Sequence, residues 1–262
     1  MHELSGFAIV YFTSLQITVR HDLSMIRCIF ATTFLILVSS IQAQENRLSK
    51  FFNPVEKDVE GWKISVDPAL LSGEQAKLGQ EALSMLANHL QRIKILIDPK
   101  PLAELQKVGI WLELDHPRLR SMQYHPSRQW LVDNGHDPRL ARKVHITQAR
   151  QLLSREQMLK HPAVILHELA HAYHDQVLSF EHPEVIRAYE SAKKAGKYEN
   201  VLLYTGNTVK HYGLTNHKEY FAEATEAYFY RNDFYPFVRA ELKQYDPDMH
   251  EILMKIWESD KR

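Results

Sequence analysis

Two hydrophobic rhythms run along this chain. Between residues 62 and 147 apolar positions come in short blocks, WKISV (62–66), KVGIWLEL (107–114) and KVHIT (143–147), each of strand length and bounded by turn residues. SMQYHPSRQWLVDNG (121–135) predicts an exposed edge strand, interrupted by Pro126 and closed by an Asn-Gly turn. Among these blocks, GEQAKLGQEALSMLANHLQRIKILI (73–97) repeats at helical spacing. From residue 149 onward the helical rhythm takes over. ARQLLSREQMLK (149–160) predicts a polar helix, and HPAVILHELAHAYHDQ (161–176) a helix opened by Pro162 in its first turn. PEVIRAYESAKKAG (183–196), NHKEYFAEATEAYFYRN (216–232) and a last helix ending at Trp257 follow. Strands first and helices later predict an α+β fold in two lobes: a small mixed sheet with the 161–176 helix, then a mainly helical C-terminal lobe.

The apolar pattern at the N-terminus is of another kind. Residues 25–43, MIRCIFATTFLILVSSIQA, place an Arg before an apolar run too short to span a bilayer at roughly 20 residues per crossing, with Ala43 at its end. This predicts a secretory signal peptide over 25–43, a mis-assigned upstream extension over 1–24, and a mature domain over 44–262. A membrane anchor built from this run and GFAIVYFTSLQITV is the alternative. The signal-peptide reading makes the protein secreted or periplasmic, with no membrane association after processing. Cys28 is the only cysteine and would leave with the signal, so thiol catalysis, Cys-ligated zinc and disulfide scaffolds drop out together. Lys plus Arg equals Asp plus Glu at 32 each, which argues against a nucleic-acid partner. A monomer is expected.

The 161–176 helix poses a chemical question, because it sets histidines and a glutamate in an apolar run. Burying an unpartnered neutral polar group costs about 1–3 kcal/mol. Either this face meets solvent or something binds there. HELAH (167–171) matches H-E-x-x-H. His167 and His171 lie one turn apart on one face and can reach a single metal ion, with zinc–nitrogen bonds of about 2.0–2.1 Å. Glu168 is turned about 100° around the helix, beside the metal, where it can accept a proton from water that the metal acidifies. The surrounding Val164, Ile165, Leu166, Leu169, Ala170 and Ala172 argue against a solvated histidine face.

Catalytic zinc usually takes three protein ligands. The metzincin extension would need Gly at 174 and His at 177, whereas the chain has His174 and Val177. His174 reads instead as polar packing or as support behind the ligands. Glu219, Glu223 and Glu226, at i, i+4 and i+7, form a carboxylate stripe on the 216–232 helix. Like charges one turn apart repel by a few tenths of a kcal/mol, so a positive neighbour is favoured. A zinc ion supplies it, with Glu219 as ligand and Glu223 orienting a histidine. A solvated acidic face, or Glu219 paired with Asn216 as a helix N-cap, are the structural alternatives.

HELAH followed by YGLTNHKEYFAEATEAY (212–228) resembles the lethal-factor-like zinc peptidases, which include the Pro-Pro endopeptidases. The resemblance implies a zincin-like fold and a zinc metalloendopeptidase acting on peptide or protein substrates. It implies that Tyr212 stabilises the oxyanion formed at the scissile carbonyl. QYHPSRQWL would correspond to the substrate-binding edge strand. Tyr124 and Trp130 read as groove-lining or core aromatics; His211 and His217 read as surface residues. An inactive zinc-containing binding protein, or an amidase acting on a non-peptide or cell-wall amide, would use the same residue set.

Overall fold

The structure, a computed structural model, describes residues 51–258, so the segments 1–24 and 25–43 lie outside the described residues. The elements below all belong to one unit that starts at Asn53. Five strands form the main sheet: β1 (Val55–Val59), β2 (Trp62–Val66), β3 (Ile110–Leu112), β4 (Gln123–Tyr124) and β5 (Val144–Ile146), in the order β1-β2-β3-β5-β4. The central three run parallel and both edge strands are antiparallel to their neighbours, which makes the sheet mixed. β1, whose exposed VEKDV has no apolar alternation, was not foreseen; it is paired to β2 through a turn at Glu60 and Gly61, both at positive φ.

Side-chain alternation fixes the two faces. Ile64, Ile110 and Val144 form one cross-strand row and Val66, Leu112 and Ile146 another, and all six enter the core. There they join Leu86, Leu90 and Ile93 of α1 (Ala76–Leu96) and Ile165, Leu166 and Leu169 of α5 (Val164–Tyr173). Gly79 lets α1 lie against the preceding turn, since a Cβ there would stand 1.8 Å from the Leu70 carbonyl oxygen. α2 (Pro99–Leu105) then leads into β3.

Three sequence expectations need correction. The 121–135 strand is only the two residues of β4; Pro126 ends it, and Ser127 then caps α3 (Arg128–Asp133) by accepting the Trp130 N–H at 3.1 Å. Asn134 and Gly135 therefore finish a helix, not a hairpin. The 149–160 helix is broken by Ser154 into a 3-10 turn (Ala149–Leu153) and α4 (Arg155–Lys160), because the serine hydroxyl caps the second piece. The HELAH helix begins at Val164, two residues later than Pro162 implied.

Downstream come a π-helical turn (His174–Leu178), α6 (Pro183–Lys194), a small hairpin of β6 (Val201–Leu202) and β7 (Thr208–Val209), α7 (His217–Phe229), α8 (Arg239–Tyr245) and α9 (Pro247–Trp257). Trp257 locks this half together, its ring 4.5 Å from Tyr173 and 5.7 Å from Phe229, centroid to centroid. Among the described residues no helix is long and apolar enough to cross a membrane.

The opposite face of the sheet carries an imidazole cluster. His145 of β5 stands 3.1 Å from His125 and 3.0 Å from Glu113, nitrogen to nitrogen and nitrogen to oxygen. His116 accepts the backbone N–H groups of Arg118 and Leu119 at 3.2 and 2.9 Å, and His136 lies 3.4 Å from the Arg118 guanidinium. Burial pushes His125 and His145 down to about 3 and His116 to about 4, and lowers His136 as well. Burial also raises Glu113, to about 7. The unfolded chain therefore binds protons at these imidazoles below about pH 6.5, where the folded chain does not. Their stabilisation is complete above that pH and is lost as pH falls toward 3–4. Glu113 acts with the opposite sign, but it is one group against four. Urea unfolding should accordingly show stability dropping by a few kcal/mol, on the order of the linkage for several such groups, between about pH 7 and pH 5. The slope should flatten in a His125→Gln, His145→Gln double variant.

Candidate metal centre and cleft

The face of α5 that carries HELAH lies against the carboxylate stripe of α7. Three donor atoms converge there: His167 Nε2 and His171 Nε2 are 3.0 Å apart, and each is 3.2 Å from Glu219 Oε2. Atoms about 2.0–2.1 Å from one tetrahedral centre would stand roughly 3.3 Å from each other, so this donor set matches a zinc-sized ion in spacing and in chemistry. His167, His171 and Glu219 form one of two groups among the described residues whose ligand atoms could hold a metal.

The second group is His161, His167 and Glu226, and it explains how His167 is aimed. Glu226 Oε1 accepts a hydrogen bond from His167 Nδ1 at 2.6 Å and another from His161 Nε2 at 2.8 Å. A carboxylate on Nδ1 keeps the proton there and leaves the Nε2 lone pair facing Glu219 and His171. The orienting group is therefore Glu226, not Glu223 as the sequence implied. Glu223 Oε1 lies 3.6 Å from His167 Nδ1. Its other oxygen and its main-chain carbonyl are instead bound by the Asn232 amide, at 3.0 and 2.7 Å. Burial, reinforced by the neighbouring Glu226, pushes Glu223 up to about 8. Burial also opposes charge on Glu226, but contacts with His161 and His167 outweigh it and hold that carboxyl below the usual range. The signal was present in the spacing: seven residues make two turns less about 20°, so Glu226 falls more nearly in line with Glu219 than Glu223 does.

Glu168 is buried on the adjacent side of α5, and the backbone N–H of Tyr124 on β4 donates to its Oε2 at 2.7 Å. Burial raises its pKa, against the pull of His167 and His171. The Tyr124 hydroxyl in turn donates to Asp175 at 2.5 Å and accepts from Gln176 at 3.1 Å. Edge strand, HELAH helix and π-helical turn are thereby pinned together. Tyr124 lines the cleft; Trp130 instead stacks on His125 and His136 with its ring partly exposed.

Tyr212 sits on a 3-10 turn (Tyr212–Leu214), 48% exposed at the cleft wall. Burial of the rest of the ring and the proximity of Glu219 raise its pKa. His211, expected at the surface, is buried: its Nδ1 accepts the Gly213 N–H at 2.9 Å and its ring packs on Tyr198 and Phe234, which sets the turn that presents Tyr212. His217, also expected at the surface, is half-buried and donates to the Phe180 carbonyl at 2.9 Å. His174 is fully buried among Phe180, Phe221 and His217, away from the donor triad. The centre opens onto a cleft of about 780 Å³ lined on one side by Ser121, Met122, Gln123 and Tyr124 of the edge strand and its lead-in.

The chain thus sets an H-E-x-x-H helix against a downstream glutamate in a mixed α+β fold, and a family model bears on which family it belongs to. The family model described as anthrax toxin lethal factor, N- and C-terminal domain, matches residues 115–256, more than half of the chain. The chain belongs to this lethal-factor-like family. Among solved structures, it is similar to the Pro-Pro endopeptidase PPEP-2 from Paenibacillus alvei, at 20% identity over 66% of this chain and 90% of that one, with a TM-score of 0.40. Comparison with curated proteins gave no match.

Glu219 depends on the local start of α7. Asn216 Oδ1 accepts the backbone N–H groups of Lys218 and Glu219 at 2.9 and 3.0 Å. Asn216→Ala should lower stability by about 0.5–2 kcal/mol, and Asn216→Asp should restore most of it, as read by thermal unfolding.

Proposed function

We propose that the protein is an exported zinc metalloendopeptidase with a zincin-like fold, in which His167, His171 and Glu219 hold the metal. The observation that carries this reading is the convergence of those three donor atoms within 3.2 Å, at the floor of an open cleft, beside a buried glutamate on the same helix. Export rests on the signal-like segment 25–43.

When bound, zinc would supply a Lewis acid that polarises a substrate carbonyl and acidifies water. The chain's own residues do the rest. The substrate backbone pairs with β4 in extended form, main chain to main chain. Glu168 accepts the proton of the attacking water and returns it to the departing amine. Tyr212, exposed at the wall, donates its hydroxyl hydrogen to the carbonyl oxygen as negative charge develops there. Glu226 and His161 hold the His167 ring so that Nε2 stays directed at the ion.

Elemental analysis of the purified protein should find one zinc per chain, and the protein should cleave members of a peptide library. Glu168→Gln should keep the metal and lose on the order of 10²–10⁴-fold in kcat/KM. If wild type and variant hold zinc equally and neither cleaves any peptide, the centre serves binding and the peptidase reading fails. Glu219→Ala should abolish stoichiometric metal. Competition with a chelator should show Glu226→Gln weakening zinc affinity by about 10–100-fold, whereas Glu223→Gln should change it little.

A further inference from the structure

The charges around the cleft are sorted by depth. Its carboxylates lie at the bottom: Glu168, Glu223 and Asp233 are buried, and Glu219 faces His167 and His171. Its cations, Arg118, Arg120, Lys160 and Lys218, stand higher, the first three exposed to solvent and Lys218 half-buried. Arg120 is paired with Asp115 at 2.8 Å. Arg118 binds the carbonyl oxygens of Asn134 and Gly135 at 2.6 and 2.9 Å, contacts that direct the guanidinium without cancelling its charge. The Lys218 ammonium lies 4.1 Å above the Phe180 ring, a cation–π contact that likewise leaves the charge in place. Asp233 is buried below Lys160 and has no ion pair with it among the described residues; burial raises its pKa while Lys160 draws it down. Between the cations the walls present the neutral amides of Gln123, Gln151 and Gln157; that of Gln151 already donates to the Arg120 carbonyl and to Gln148, and that of Gln123 to the Ser121 carbonyl.

A peptide lying along β4 meets this rim with its side chains. Arg118 and Arg120 stand on the segment leading into the edge strand, Lys218 is adjacent in sequence to Glu219, and Lys160 is adjacent to His161. We propose that the cleft selects acidic peptides, those with Asp or Glu within a few residues of the scissile bond, and that Lys160 and Lys218 are specificity determinants. The proposal rests on the peptidase reading for its catalytic consequence, but the charge selection itself is a property of the cleft. Rim cations raise the encounter rate of anionic substrates and disfavour lysine- and arginine-rich ones, and added salt screens both effects.

The test compares quenched fluorescent peptides that differ only in carrying Glu, Gln or Lys at the positions flanking the cleaved bond. The Glu series should exceed the Lys series by about tenfold or more in kcat/KM at low salt, with the ratio shrinking as salt rises. Lys160→Glu with Lys218→Glu should invert the order. Equal rates for the Glu and Lys series, or a preference for Lys, would overturn the proposal while leaving the peptidase reading intact. If no peptide is cleaved, the peptidase reading fails, and charge selection is read separately. In that case fluorescein-labelled Glu-rich and Lys-rich peptides are titrated against the zinc-loaded Glu168→Gln protein by anisotropy. Tighter binding of the Glu-rich peptide supports the proposal, and equal or weaker binding ends it.

Discussion

One imidazole carries the organisation of this molecule. His167 is gripped from both ends by carboxylates of a single helix: its Nδ1 by Glu226 at 2.6 Å and its Nε2 side by Glu219 at 3.2 Å. That double grip fixes the register of α5 against α7, because sliding either helix by a residue would break both contacts. It also packs several acidic groups and imidazoles into a largely buried space, where like charges repel strongly and desolvation is costly. A divalent cation held there would relieve that concentration of negative charge, so the packing of the helix pair and the chemistry of the proposed metal centre call for the same residues. Apolar neighbours such as Leu169, Ala170, Phe221 and Ala222, all fully buried, supply the cohesion that lets the polar pairs be tolerated there.

The sheet contributes by delivering one backbone group. β4 is two residues long, yet the Tyr124 N–H it places on Glu168 is the link between the edge strand and the HELAH helix. An edge so short needs support, and it receives it from both faces. The Tyr124 hydroxyl is tied to Asp175 and Gln176 on the cleft side, and behind β4 His125 packs into the imidazole cluster with His145. The cluster is thus a neutral polar wall behind the strand. It holds at pH values where the imidazoles are uncharged, and it weakens when protons enter.

How much of this was legible in the sequence follows from which interactions are local. The β2, β3 and β5 strands were legible because their alternation or apolar runs encode burial directly. The pairing of His167 with His171 was legible because helix periodicity sets i,i+4 side chains on one face whatever the tertiary fold, whereas Glu219 came from a carboxylate stripe on a separate helix. What escaped depended on contacts distant in the chain. VEKDV is a strand only because β2 offers it a free edge. Ser127 and Ser154 start short helices by capping, a preference that weakens when Pro126 or a leucine pair dominates the local pattern. His161 has its partner 65 residues away, Glu226, which only the packing of α7 brings to it. His211 looked exposed in sequence, but its ring is enclosed by Tyr198 and Phe234, residues on opposite sides of it in the chain.

The start of α7 shows how a structural and a chemical role coexist in one stretch. Asn216 and Glu219 have the spacing of a reciprocal cap, in which the glutamate side chain would fold back onto the Asn216 backbone N–H. The structure uses only half of that device. Asn216 accepts the N–H groups of Lys218 and Glu219, which satisfies the first turn, and the Glu219 carboxylate points across to His167 and His171 instead. Burial alone would raise the Glu219 pKa, but the contacts with His167 and His171 outweigh it and hold the carboxyl well below its ordinary range. The exposed-acid and helix-cap alternatives for Glu219 therefore fail for a physical reason. The asparagine does the capping, and the glutamate is left with the two histidines one helix away as its partners.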